Sequence, residues 1–139
     1  MLTENEVLNA LRAYLERNGY PVDEFRTTLE KGVDLVATHK TTGRTLAIEA
    51  KGATSSKAKT SRFGKGFKDS QIRTHVARAF FSAAELKGCA DWHDVAIALP
   101  DTEKHRRLTA RIGNALEILK ISLFWVDSKN TVSHSPYHK

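Results

Sequence analysis

Apolar positions along this chain recur in two rhythms, one helical and one extended, and the order of the two predicts its architecture. In residues 3–18 they fall at Val7, Leu8, Leu11, Tyr14 and Leu15, the spacing of one face of a helix. Thr3, with Glu6 three residues on, makes a capping-box start, and Asn18-Gly19 closes the segment. After a turn at Pro21, Phe25–Leu29 reads as an edge strand. Two apolar runs, Val33–Thr38 and Thr45–Ala50, then flank the polar turn Lys40-Thr41-Thr42-Gly43-Arg44 and predict a buried hairpin. Ser70–Lys87 is a strong helix with Ile72, Val76, Ala79, Phe80 and Ala83 inward and a stop at Gly88. Asp94–Leu99 is a short apolar strand closed by Pro100. Thr102–Lys120 is a second long helix with Leu108, Ile112, Ala115 and Leu119 inward, and Ile121–Val126 is the last clear strand. The polar end, residues 127–139, is expected to add a weak strand or to fray.

Helix, strand, hairpin, helix, strand, helix, strand is an α/β order, with a mixed sheet between helices and no repeat or internal boundary. The chain therefore reads as one domain over residues 1–139. At 40% hydrophobic residues it can bury a workable core. The single cysteine, Cys89, forms no internal disulfide and fits a reducing compartment. No His or Cys cluster has zinc-site spacing. The start, MLTENEVLNA, lacks the features of a signal peptide, and no apolar run approaches the roughly 18 residues of a membrane span. A cytoplasmic protein without membrane contact is the expectation.

Charge changes the picture. The net charge is +6. Lys51, Lys57, Lys59, Arg62, Lys65, Lys68 and Arg73 face a single acid, Asp69, within residues 51–73, an excess equal to that of the whole chain. Residues 53–69 are rich in Ser, Thr, Gly and Lys and read as a long mobile loop centred on Phe63-Gly64-Lys65-Gly66-Phe67. Its glycines let backbone approach phosphates and its phenylalanines suit stacking on bases; the alternative has those rings tucked onto the core. The spacing of a P-loop is absent, so nothing here supports ATP binding. A basic field of this kind implies a polyanion, nucleic acid being the simplest.

The field begins where the most apolar hairpin carries charge. Asp34 enters its first run and Glu49-Ala50-Lys51 ends its second. Desolvating an unpaired charge is costly, so three charges here suggest a site. Alternation puts Glu49 and Lys51 on one face, and Asp34 reaches that face if the register allows. Two carboxylates suit Mg²⁺ or Mn²⁺. A lysine beside them can activate water or offset charge on a transferring phosphoryl group. The structural alternative is an Asp34–Lys51 ion pair with Glu49 solvated at a strand end.

Gly32-x-Asp34, fourteen residues, then Glu49-x-Lys51 resembles the signature of the PD-(D/E)XK nuclease superfamily, which includes restriction endonucleases and small Holliday-junction resolvases. Val33 stands where the signature names proline. The element order over residues 3–126 is similar to the restriction-endonuclease-like αβββαβ core with an appended αβ unit. The resemblance implies a metal-dependent DNA endonuclease, DNA being favoured over RNA. It implies metal ligation by Asp34, Glu49 and the Ala50 backbone carbonyl, with Lys51 as the catalytic lysine. Gln71, on the helix after the ExK strand, would orient the lysine or the water. Glu4, near the start of the first helix and on its inward face, would add an acid to the metal site; a first-turn acid complementing the helix dipole is the alternative. Lys57, Lys59, Arg62, Lys65, Lys68, Arg73 and His75 are candidate nucleic-acid contacts, an ordinary half-exposed histidine being the alternative for His75. Cutting both strands in one encounter would need two copies, hence an expected homodimer. The helix from Thr102 and the strand through Phe124-Trp125 are its candidate surfaces, though core packing accounts for Trp125 equally well. The rival readings are a non-catalytic nucleic-acid-binding module and an interaction subunit of a repair or defence complex on the same fold.

Overall fold

A computed structural model of the chain describes residues 1–22, 33–53, 67–89 and 91–136. The expected strand Phe25–Leu29 lies outside them, as do Lys57, Lys59, Arg62 and Lys65. In chain order the elements are α1 (Glu4–Arg17), β1 (Leu35–Thr38), β2 (Thr45–Ala50), α2 (Asp69–Lys87), β3 (Asp94–Pro100), α3 (Glu103–Ala110), α4 (Gly113–Leu119), β4 (Ile121–Val126) and β5 (Val132–Ser135). The strands form one mixed sheet in the order β1-β2-β3-β4-β5. The two central pairings, β2 with β3 and β3 with β4, are parallel, and the two outer ones are antiparallel. This is an α/β fold: each parallel pairing needs a helical crossover, supplied by α2 and by α3–α4.

Strand alternation divides the core in two. Leu35, Leu46, Ile48, Ala96, Ala98, Phe124 and Val126 pack against Val7, Leu11 and Leu15 of α1 on one face. Val36, Ala47, Val95, Ile97, Leu99 and Trp125 pack against Ile72, Val76, Ala79 and Ala83 of α2 and Leu116 of α4 on the other.

Helix α1 clamps the hairpin at both ends. At its start the capping box forms as the sequence suggests: Glu6 N–H donates to Thr3 Oγ1 (3.2 Å) and Thr3 N–H to Glu6 Oε1 (3.0 Å). The chain entering it lies on the end of β2, where Ala53 N–H donates to Leu2 O at 2.7 Å. A Cβ added to Gly52 would stand 2.7 Å from the Thr3 carbonyl carbon and collide with the Glu4 backbone, so only glycine admits this approach. At its far end Gly19, with φ +86°, turns the chain so that its carbonyl accepts from Lys40 N–H at 2.9 Å in the hairpin turn.

The second half departs from expectation. The predicted helix Thr102–Lys120 is two helices, α3 and α4, with Arg111-Ile112 between them. Thr109 Oγ1 donates to the carbonyls of His105 (3.0 Å) or Arg106 (3.1 Å), and Gly113 follows. A back-bonding threonine and a glycine together weaken helix continuation. The break changes the phase, so Leu116 is buried while Leu119 is exposed rather than inward. Phe124 and Trp125 are each only 2% exposed, with the Arg106 guanidinium 4.1 Å above the Trp125 ring. They are core residues, as the packing alternative for Trp125 had it, so the strand they lie on offers neither side chain to a dimer partner, and of the two candidate surfaces only the helix after Thr102 is exposed. The polar tail does add a strand, β5, at the edge of the sheet.

Candidate active site

The β1–β2 register decides whether the carboxylates meet. Leu35 lies opposite Ile48 and Val36 opposite Ala47, and continuing the ladder one step sets Asp34 opposite Glu49. Both residues follow the parity of Val36 and Ala47, so they face α2. Asp34 N–H donates to Ile48 O at 3.2 Å, and Asp34 Oδ2 accepts from Ala50 N–H at 2.8 Å. A strand-end aspartate is thus fixed by the backbone of the ExK segment itself. Lys51 N–H donates to Ala98 O at 3.1 Å, carrying the β2–β3 ladder past the end of the strand. The site therefore lies at the carboxyl end of a central parallel strand, where open α/β sheets commonly bind ligands.

Glu49 is 4% exposed and lies opposite Asp34 on the neighbouring strand. Burial first, then the hydrogen bond and charge of Asp34, push its pKa from the ordinary 4.5 up to about 9; the Lys51 ammonium opposes this and Glu4 adds to it. The pair accordingly holds one proton at neutral pH. A protonated carboxyl can donate, and two facing carboxylates without a cation cannot both ionise cheaply. Glu4 is half-buried, and its pKa is raised by desolvation and then by Asp34, with Lys51 opposing. These shared influences bring Glu4, Asp34, Glu49 and Lys51 into one electrostatic cluster. The ion pair of the structural alternative, Asp34 with Lys51, does not form; Asp34 is bound to the Ala50 N–H instead.

The cluster's donor chemistry is that of a hard cation. Among the described residues no group of three or more His, Cys, Asp or Glu side chains is arranged to hold a metal ion, so the donor set is the Asp34–Glu49 pair with Glu4 at its border. A divalent ion replacing the shared proton would let both acids ionise, which fits Mg²⁺ or Mn²⁺ and oxygen ligands.

The remaining candidates divide. His75 is half-buried, with its ring edge-on to Phe67 at 4.5 Å between centroids. Its pKa is lowered by desolvation, then by the charges of Lys51 and Arg78. Gln71 has a structural task, its Oε1 accepting from Lys68 N–H at 2.8 Å to close the first turn of α2. Only its amide NH₂ remains for any role toward Lys51 or water. Lys68 and Arg73 are exposed, at the cap and on the outer face of α2. Lys51 is half-buried at the edge of an open groove of about 570 Å³ that runs over α2 between Arg73, Arg78 and Phe81.

His105 escaped the sequence reading. It is 1% exposed, its Nδ1 lies 2.6 Å from Thr102 Oγ1, and its Nε2 has no partner among the described residues. Burial and then the nearby His75 lower its pKa to about 4, so it is neutral at physiological pH. The spacing Thr102-x-x-His105 at a helix start was the one available signal.

Searches against protein-family models, curated proteins and solved structures found no match to this chain. No helix among the described residues is long and apolar enough to cross a membrane.

Proposed function

We propose that the chain is a metal-dependent nuclease of the PD-(D/E)XK kind, on a restriction-endonuclease-like fold, hydrolysing phosphodiester bonds of nucleic acid, with DNA the favoured substrate. One observation carries this reading: Asp34 and Glu49 face each other at the end of β2 next to Lys51, Asp34 fixed by the Ala50 N–H and the Glu49 pKa pushed up by burial and by Asp34. Such a pair strains the fold at neutral pH unless a cation takes the proton's place. A bound Mg²⁺ or Mn²⁺ would polarise a phosphoryl oxygen and acidify a water. Asp34 and Glu49 would hold it, with the Ala50 carbonyl a further candidate ligand and Glu4 an acid at the border.

Lys51 then does the work that the carboxylates cannot. Its side chain orients the attacking water, and its ammonium offsets the negative charge that builds on phosphorus. His75 extends the polar surface beside it, and the basic segment 51–73 draws the polyanion in. A two-fold pair of chains would supply the two sites that cutting both strands needs.

A cleavage panel with Mn²⁺ or EDTA tests the reading, setting single-stranded, duplex and four-way-junction DNA beside RNA. Cutting of at least one substrate in Mn²⁺ is expected, lost in EDTA and in Glu49→Gln. Full cutting in EDTA would remove the metal from the account. Binding of every substrate without cutting would favour the rival reading, a binding module.

A further inference from the structure

The groove that Lys51 borders continues away from the carboxylates across the outer face of α2. Its walls are Arg73, Thr74, Arg78, Phe81 and Ser82, and no acid among the described residues lines it. Arg73 and Arg78 make no hydrogen bond or ion pair with any described residue, whereas Arg44, Arg106 and Arg107 are each held by a carboxylate. Between the two arginines Ala77 leaves the surface low. Beside it Phe81 stands 65% exposed, although its neighbour Phe80 packs against the core. An aromatic ring held in water beside unpaired cations has no packing role. It does match the recurring single-strand platform, in which cations track the backbone and an aromatic side chain stacks on a base.

We infer that this groove holds an unpaired nucleotide next to the scissile phosphate, with its base stacked on Phe81 and the adjoining phosphates on Arg73 and Arg78. The inference rests on the nucleic-acid reading of the Lys51 site and narrows its substrate to nucleic acid with a single-stranded segment there. A base inside an intact duplex presents its edge rather than its face, so a blunt duplex would leave Phe81 unused.

Fluorescence anisotropy in EDTA, where no cutting interferes, separates the possibilities. The probes are a short single-stranded oligonucleotide and its blunt duplex. Loss of one base–aromatic stack of about 1–3 kcal/mol weakens single-strand binding by Phe81→Ala roughly 5- to 150-fold. The loss should be much smaller on the duplex, and Phe81→Trp should restore the single-strand affinity. Replacing Arg73 and Arg78 together by Gln should lower the single-strand salt slope by about 0.7 per lost phosphate contact. Single-strand affinity indifferent to Phe81→Ala would overturn the inference, as would equal losses on both probes. So would a Phe81→Ala chain of altered mass by light scattering, which would make this face a contact between copies. The two readings fail separately. A chain that never cuts in Mn²⁺ yet binds single strands through Phe81 loses the nuclease assignment alone, and one that cuts with Phe81 idle loses only this groove.

Discussion

Replacing Glu49 by Gln should make the metal-free protein more stable, and increasingly so as pH rises. Glu49 is buried and its folded pKa is about 9 against 4.5 for the free side chain. Between those values the folded chain binds a proton that the unfolded chain has lost, so stability falls as pH rises through that window. Each pKa unit is worth about 1.36 kcal/mol, which puts the cost at roughly 3 kcal/mol at pH 7 and near zero at pH 4. Gln mimics the protonated acid, since its amide can donate to Asp34 as the carboxyl does, and it does not titrate. Urea unfolding in EDTA at a series of pH values reads the difference directly. Glu49→Gln should match the wild type near pH 4 and exceed it by roughly 3 kcal/mol at pH 7, on the order of 10 °C in Tm for a domain of this size. A difference that stays flat with pH would mean that Asp34 and Glu49 share no proton, and the electrostatic basis of the site would be lost.

Three further perturbations probe other parts of the account. Gly52→Ala should cost about 1–3 kcal/mol by overpacking against the start of α1, and wild-type stability in that variant would show that the close approach is not needed. Lys51→Ala should reduce cutting roughly 100- to 10,000-fold while Mn²⁺ affinity is kept, and unaltered cutting would remove the lysine from the chemistry. Neutralising Lys57, Lys59, Arg62, Lys65 and Lys68 together should weaken duplex binding and lower its salt slope by up to about 0.9 per lost contact, and an unchanged slope would place those charges away from the phosphates.

Much of the fold was legible because its elements are locally consistent. The capping box at Thr3, the polar turn with Gly43 and the apolar run Ile121–Val126 each announce one structure only, and each forms where expected. Parity alone set Glu49 and Lys51 on one face. Whether Asp34 joined them depended on register, which hydrophobic pattern constrains to a face but not to a partner; the ladder resolved it. The choice of Glu4 over Glu6 likewise followed from helical phase, with Glu6 spent on the cap.

Where structure and pattern part, one cause is a side chain whose local bond outranked its pattern. Thr109 bonding back along its own helix broke the segment 102–120 and turned Leu119 outward. Gln71 was read as a group facing the lysine; its carbonyl also closes the turn at Lys68, which leaves only its NH₂ for that role. At Trp125 the packing alternative holds, with the ring in the core beneath Arg106. Phe81 drew no attention because adjacent phenylalanines look alike in a string, while one step along a helix separates Phe80 on the core from Phe81 in solvent.

The claim beneath all of this is that the Asp34–Glu49 pair trades its proton for a divalent ion. Calorimetric titration of Mn²⁺ at pH 7, repeated in buffers of different ionisation enthalpy, counts the protons released per ion bound. With the Glu49 pKa near 9, the account predicts one ion bound with close to one proton released, and both lost in Glu49→Gln. Binding without proton release, or binding that survives Glu49→Gln, would contradict it.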